Sequence, residues 1–213
     1  MDIYGVIYSP FAARVAFAAS FKGFKYKIVA PKDGTKTPAF LKLNPLGKVP
    51  VLKDGKVVLF ESSVIIEYLE AKSKKKRLVP TPAKAGAEAR LLGALFAEYL
   101  QPSVLGLWQQ IDPAKRDQAV VDAKLTDVAR YLDIIEKRMS AKPYCAGAKP
   151  TIADCYALPV MFFLTNFMPR FGATNLLKGR KKLTKYIAFA RKNKLTSGVL
   201  AQMDAALQQV MGG

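Results

Sequence analysis

The sequence contains no histidine, which excludes the common zinc sites and every acid–base mechanism that relies on an imidazole. Its two cysteines, Cys145 and Cys155, make no disulfide framework, and their spacing fits neither a redox Cys-x-x-C nor a metal site. No metal is expected. No uninterrupted apolar run approaches the roughly 20 residues that cross a bilayer. The opening residues Met1-Asp2-Ile3-Tyr4-Gly5 lack the basic segment, apolar core and small-residue cleavage site of a secretory signal. A cytoplasmic protein is the expectation. There is no internal repeat and no low-complexity segment. Chemistry must come from hydroxyls, carboxylates, amines or a bound cofactor.

Acidic residues are scarce, 16 against 34 basic ones, for a formal net charge of +18. Such an excess suits nucleic acid, an anionic surface or anionic small molecules. The densest runs, Lys74-Lys75-Lys76-Arg77 and Lys178, Arg180, Lys181, Lys182 and Lys185, carry no interleaved aromatics that would stack on bases. A solvated basic face is therefore expected, and a nucleic-acid partner is not; contact with an anionic surface stays open.

About half of the 213 residues are hydrophobic, spread in amphipathic blocks, and the length suits two packed domains. The first part alternates strand and helix signals. Ile3 to Ile7 reads as a strand, Pro10 to Phe21 as a helix that Gly23 ends, and Tyr26 to Val29 as a second strand. Thr37 can cap a short helix with Pro38 at its first position. Val49 to Leu52 and Val57 to Leu59 flank Asp54-Gly55, a strong hairpin signal, and Ser62 to Ala71 has helical periodicity. The order β-α-β-α-β-β-α implies a mixed four-stranded sheet. Residues 73–85, with their charge run and Pro80 and Pro82, read as a linker after a domain of residues 1–72. Residues 86–213 read as an all-helical domain, with helical patterns over 86–111, 114–139, 151–166, 181–192 and 197–210.

Three stretches carry chemistry. In Ser9-Pro10-Phe11-Ala12-Ala13-Arg14 a hydroxyl stands between a strand and the positive end of a helix, a place that stabilises an anion. If that anion is a bound thiolate, a hydrogen bond from Ser9 lowers the thiol pKa. A drop of about two units is worth roughly 2.7 kcal/mol, raising the thiolate fraction at neutral pH from about 3% to about three quarters. Ser9 could equally be a helix cap and nothing more. In Asn44-Pro45-Leu46-Gly47-Lys48-Val49-Pro50-Val51-Leu52, a cis peptide before Pro50 would turn the backbone of Val49 outward to pair with an extended peptide; an edge-strand proline without a role is the alternative. In Phe60-Glu61-Ser62-Ser63, the helix start offers hydroxyls and N–H groups to a carboxylate, and Glu61 can pair with an ammonium.

With these three stretches in order in one small α/β unit, the chain resembles the cytosolic glutathione transferases over nearly its whole length. Thr151-Ile152-Ala153-Asp154 looks like that family's capping box in the helical domain. The resemblance implies a thioredoxin-like N-terminal domain binding glutathione as co-substrate, an all-α bundle that helps bind a hydrophobic electrophile, a detoxifying transferase reaction and a homodimer. The first-helix motif is similar to the omega-class Cys-Pro-Phe-x-x-Arg with serine in place of the redox cysteine, and to the serine-type tau pattern. Conjugation is expected over thiol–disulfide exchange, since Ser9 cannot form a mixed disulfide.

By this resemblance Ser9 activates the thiol, and Val49 with Pro50 holds the cysteinyl backbone. Glu61 and Ser62 bind the γ-glutamyl end, and Lys36 or Lys48 the glycyl carboxylate. Phe11 lines the mouth. Tyr4 and Tyr8 compete for the activating role; in an extended strand Tyr8 would face away from Ser9, so only one of those two can serve. Arg14 is expected to be structural. The electrophile pocket is expected around Phe11, Tyr99, Leu105 and Trp108, whose helical spacing also suits plain core residues. The alternative reading is a non-catalytic ligand-binding or assembly module of the same family, using its basic surface.

Overall fold

The computed structural model describes residues 1–211. By packing, the chain forms two units: residues 1–78 together with the C-terminal segment from Asn193, and residues 79–192.

In the first unit, strands β1 (Asp2–Tyr4), β2 (Lys27–Val29), β3 (Val51–Asp54) and β4 (Val57–Phe60) form a sheet of order β2-β1-β3-β4. β1 pairs parallel with β2, and the β1/β3 and β3/β4 pairs are antiparallel, so the expected mixed four-stranded sheet is present. The turn at Asp54-Gly55 closes the β3/β4 hairpin, with Gly55 at φ +63°. Helix α1 (Pro10–Lys22) is rich in alanine, and Ala12, Ala13, Ala16, Ala18 and Ala19 are fully buried. Small side chains let this helix lie in the interior, and left-handed Gly23 ends it. Thr37 accepts a 3.3 Å bond from the Phe40 N–H to cap α2 (Pro38–Leu41), as its sequence suggests. Helix α3 (Ser62–Lys72) packs on α1, as does the last helix, α9 (Lys194–Met211).

Strand β1 is shorter than its β-rich run implies. It stops at Tyr4, and the N–H of Ser9 bonds back to the Val6 carbonyl at 2.9 Å, a turn that delivers Ser9 to the start of α1. Strand alternation therefore does not govern how Tyr8 and Ser9 are oriented.

A buried cation closes the end of α3. The Lys22 side chain is fully buried and bonds to Glu70 at 2.6 Å and to the carbonyl of Ser73 at 2.9 Å. Glu70 in turn accepts the N–H of Leu78 at 3.0 Å.

The second unit holds α4 (Ala83–Ala94), α5 (Gln101–Trp108), α6 (Gln118–Arg138), α7 (Ile152–Phe167) and α8 (Lys181–Lys192). A π-helical segment, Leu95–Leu100, joins α4 to α5 just before Pro102. Proline supplies no N–H to an α ladder, and a wider turn absorbs the break. Asp117 caps α6 through the N–H groups of Ala119 and Val120, which is why that helix begins at Gln118 and not at Ala114.

Helix α7 is the core of this unit. The stretch Ile152–Phe171 is long and apolar enough to cross a membrane, but most of it is buried within the fold. Thr151 and Asp154 form the capping box anticipated from sequence. The Asp154 carboxylate accepts the Thr151 N–H at 2.8 Å and also the Cys145 N–H at 3.0 Å, tying the preceding loop to the helix. Burial raises the Asp154 pKa, against the pull of these bonds, and pushes the Cys145 thiol well up. Cys145 and Cys155 are buried and form no disulfide, the setting of structural rather than reactive thiols.

Candidate active site

Within the first unit, a cavity of about 230 Å³ is lined by Phe11, Asn44, Lys48, Val49, Pro50, Glu61 and Ser62. Three separate stretches of the sequence thus converge on one place. Each arrives there for a local reason.

The loop before β3 is built by Asn44, which is almost completely buried. Its Nδ2 donates to the Lys48 carbonyl at 2.7 Å, and its Oδ1 accepts the Leu46 N–H at 3.0 Å. Gly47 sits at φ +59°, and a Cβ there would meet the Thr35 carbonyl at 3.0 Å and Lys36 Nζ at 2.8 Å. Only glycine fits both the backbone and the space. The Val49–Pro50 peptide is cis. Among the described residues neither the N–H nor the carbonyl of Val49 has a hydrogen-bond partner. An extended peptide could pair there.

The second wall is the start of α3. Glu61 precedes it at φ +67°, a left-handed conformation that is rare for a residue with a side chain. Such backbone placements concentrate where function fixes the geometry. Glu61 is exposed on the cavity and Ser62 is buried beside it. The hydroxyl of Ser62 accepts a 3.2 Å bond from Nη1 of buried Arg14, whose guanidinium also lies 4.9 Å from the centroid of the Phe11 ring.

Ser9 takes the N-cap position of α1, in extended conformation, but its side chain makes no capping bond. The hydroxyl is left available, partly exposed, two residues before Phe11; it is not itself one of the cavity's lining residues. Tyr4 and Tyr8 are also partly exposed. Lys48 lines the cavity, whereas Lys36 does not: its ammonium donates to the Leu46 carbonyl at 3.3 Å, on the loop that Asn44 folds. Arg14 and Asn44 are the two residues whose part here the motifs alone did not reveal.

Tyr99, Leu105 and Trp108 belong to the second unit. Trp108 packs edge-on against Phe167, with ring centroids 4.7 Å apart, and against Phe163 at 6.1 Å, while about a third of it stays exposed. Tyr99 is half exposed and packs on Tyr131 at 5.6 Å; Leu105 is half-buried. Among the described residues no group of three or more cysteine, aspartate or glutamate side chains is placed to hold a metal.

Residues 3–77 match the glutathione S-transferase N-terminal domain, and residues 89–189 the glutathione S-transferase C-terminal domain. Glutathione S-transferase 3 of Zea mays is 35% identical over 165 residues, which cover 72% of this chain and 73% of the relative. The chain belongs to the glutathione S-transferase family. Maleylacetoacetate isomerase of Mus musculus is 31% identical over 166 residues, 74% of each protein. The structure of a glutathione S-transferase-I bound with lactoylglutathione superposes with a TM-score of 0.79 at 26% identity, over 94% of this chain and 98% of that one. The four-stranded unit is the thioredoxin-like domain of this family and the second unit its helical domain. As a glutathione transferase the chain is an enzyme, and the family's co-substrate is glutathione.

Proposed function

We propose that glutathione lies extended in the cavity of the first unit, with its sulfur at the start of α1, held as a thiolate by the Ser9 hydroxyl. The observation that carries this reading is the unpartnered backbone of Val49 beside Pro50, in a cavity that also holds Glu61 and Ser62. The N–H and carbonyl of Val49 would pair with the cysteinyl residue. Ser62 would donate to the α-carboxylate of the γ-glutamyl group, and Glu61 would accept its ammonium. Lys48 at the cavity wall, with Lys36 behind the loop, supplies the positive potential for the glycyl carboxylate. The uncapped hydroxyl of Ser9 supports the catalytic role over the capping one, since its donor is not spent on the helix.

The chemistry is serine-type conjugation, in keeping with the resemblance to tau-class sequences. The thiol proton passes to solvent, because no imidazole is available. The sulfur lone pair then forms a carbon–sulfur bond to an electrophilic carbon, and the bond to the leaving group breaks with its electron pair on that group. With an activated alkene the π pair moves away from the attacked carbon and is protonated by water. The Ser9 donor acts by favouring the ionised sulfur, which is the nucleophile. Phe11 offers apolar surface at the cavity, and within the helical unit the exposed faces of Tyr99 and Trp108, with half-buried Leu105, are the surface proposed to meet a hydrophobic electrophile. A homodimer in the cytoplasm is part of this reading.

A structure determined with glutathione bound tests it. The expected result is sulfur within hydrogen-bond reach of Ser9 Oγ and the cysteinyl backbone on Val49. Sulfur beside Tyr4 or Tyr8 instead would remove Ser9 from the mechanism.

A further inference from the structure

The segment after α3 carries four consecutive cations, Lys74, Lys75, Lys76 and Arg77, all exposed. No ion pair engages any of them among the described residues, and no acidic residue occurs between Glu70 and Glu88. Like charges on neighbouring residues repel, so a chain free to choose would splay them apart. Here the backbone is held. Buried Lys22 draws in the carbonyl oxygens of Ser73 at 2.9 Å and of Lys75 and Lys76 at 3.4 Å each. Glu70 pairs with Lys22 and takes the N–H of Leu78, whose side chain is fully buried. Lys76 adopts φ +50°, a left-handed turn.

The consequence is electrostatic. Three of the loop's carbonyl oxygens, those of Ser73, Lys75 and Lys76, turn inward to one buried ammonium, while the side chains of residues 74–77 are exposed. A flexible connection would need neither the buried ion pair nor the concentrated charge.

We infer that residues 74–77 form a fixed cationic docking face for an anionic lipid surface. Residues 72–85 contain no aromatic side chain, so the stacking that single-stranded nucleic acid requires is missing from this face. A surface of lipid headgroups needs only outward charge, and each lysine or arginine brought near it strengthens attachment about fivefold. This attachment is independent of glutathione chemistry.

The test is flotation of the full chain with phosphatidylcholine vesicles, with and without phosphatidylserine. The expected result is binding only to the serine-lipid vesicles, lost when salt is raised from about 0.05 M to about 0.5 M, where charges are screened. Replacement of Lys74, Lys75, Lys76 and Arg77 together by Gln should weaken it by about tenfold or more, with the melting temperature and glutathione conjugation unchanged. Replacement of Lys178, Lys181 and Lys185 by Gln, a comparable loss of charge on the other unit, should weaken it far less. Equal loss in the two variants, binding indifferent to salt, or displacement of the vesicles by a mixed-sequence single-stranded RNA would overturn the assignment.

Discussion

Arg14 on α1 reaches across the first unit to donate a 3.2 Å hydrogen bond to the hydroxyl of Ser62 at the start of α3. That bond uses the acceptor side of the hydroxyl, leaving its proton free to point at a bound carboxylate. The buried guanidinium adds positive potential behind it. In the proposed reading, Arg14 is a positioning residue, fixing the Ser62 hydroxyl that would meet the γ-glutamyl carboxylate.

Arg14→Met should raise the KM for glutathione about tenfold with a smaller change in kcat, because the lost interaction serves binding in ground and transition states alike. Arg14→Lys should recover part of the loss. Steady-state kinetics over a glutathione series checks both; an unchanged KM in Arg14→Met would leave the arginine a packing role only.

Lys22→Met should destabilise the chain by about 3–5 kcal/mol, the usual consequence of leaving one partner of a buried ion pair alone. Three backbone carbonyls and Glu70 lose their common donor at once. Glu70→Gln, which keeps an acceptor for the Leu78 N–H, should cost less. Denaturant unfolding of the two variants measures the difference.

Asp54 and Asp154 should bend the pH dependence of stability in opposite directions. The Lys72 hydrogen bond holds the Asp54 carboxyl below its ordinary value. Its contribution is therefore present above the unfolded pKa of about 3.9 and is lost as pH falls through the lower folded value. Burial raises Asp154, so its native state holds the proton more tightly, and stability from this group is greatest below the unfolded pKa and declines as pH rises through the folded one. Asp54→Asn should make the chain less sensitive to acid, as read by unfolding midpoints from about pH 5 downward. Asp154→Ala should destabilise it at neutral pH by roughly 2–5 kcal/mol, because the buried N–H groups of Thr151 and Cys145 lose their acceptor.

Trp108→Ala should reduce turnover of a bulky aromatic electrophile more than that of a small one, with the glutathione KM unaffected, if its exposed ring face contacts the second substrate. Equal reduction for both electrophiles would assign Trp108 to the Phe163 and Phe167 core instead.

Much of the architecture was readable because it rests on local rules. Asp54-Gly55 dictates a hairpin, Thr37-Pro38 a capped helix, and Thr151 with Asp154 a helix start, each through bonds made within a few residues. The π segment was not readable, since the turn that accommodates Pro102 depends on how the whole helix is packed. The end of β1 at Tyr4 escaped for a similar reason: the apolar run continues, but the Ser9 N–H bond to Val6 turns the chain. Of the residues lining the cavity, Val49, Pro50, Glu61 and Ser62 fall within the loop and helix-start motifs. The contact between Arg14 and Ser62 spans 48 positions, and no local pattern encodes it. Asn44 lies inside the loop motif Asn44-Pro45-Leu46-Gly47-Lys48, yet its two loop-building bonds emerge only from three-dimensional closure.

Ultraviolet titration of the glutathione thiolate, bound to the wild-type chain and to Ser9→Ala, measures the state of the sulfur directly. The wild-type complex should ionise about two pH units below the free-thiol reference near 8.5, and the Ser9→Ala complex should move most of the way back. Identical midpoints in the two complexes would contradict a serine-held thiolate.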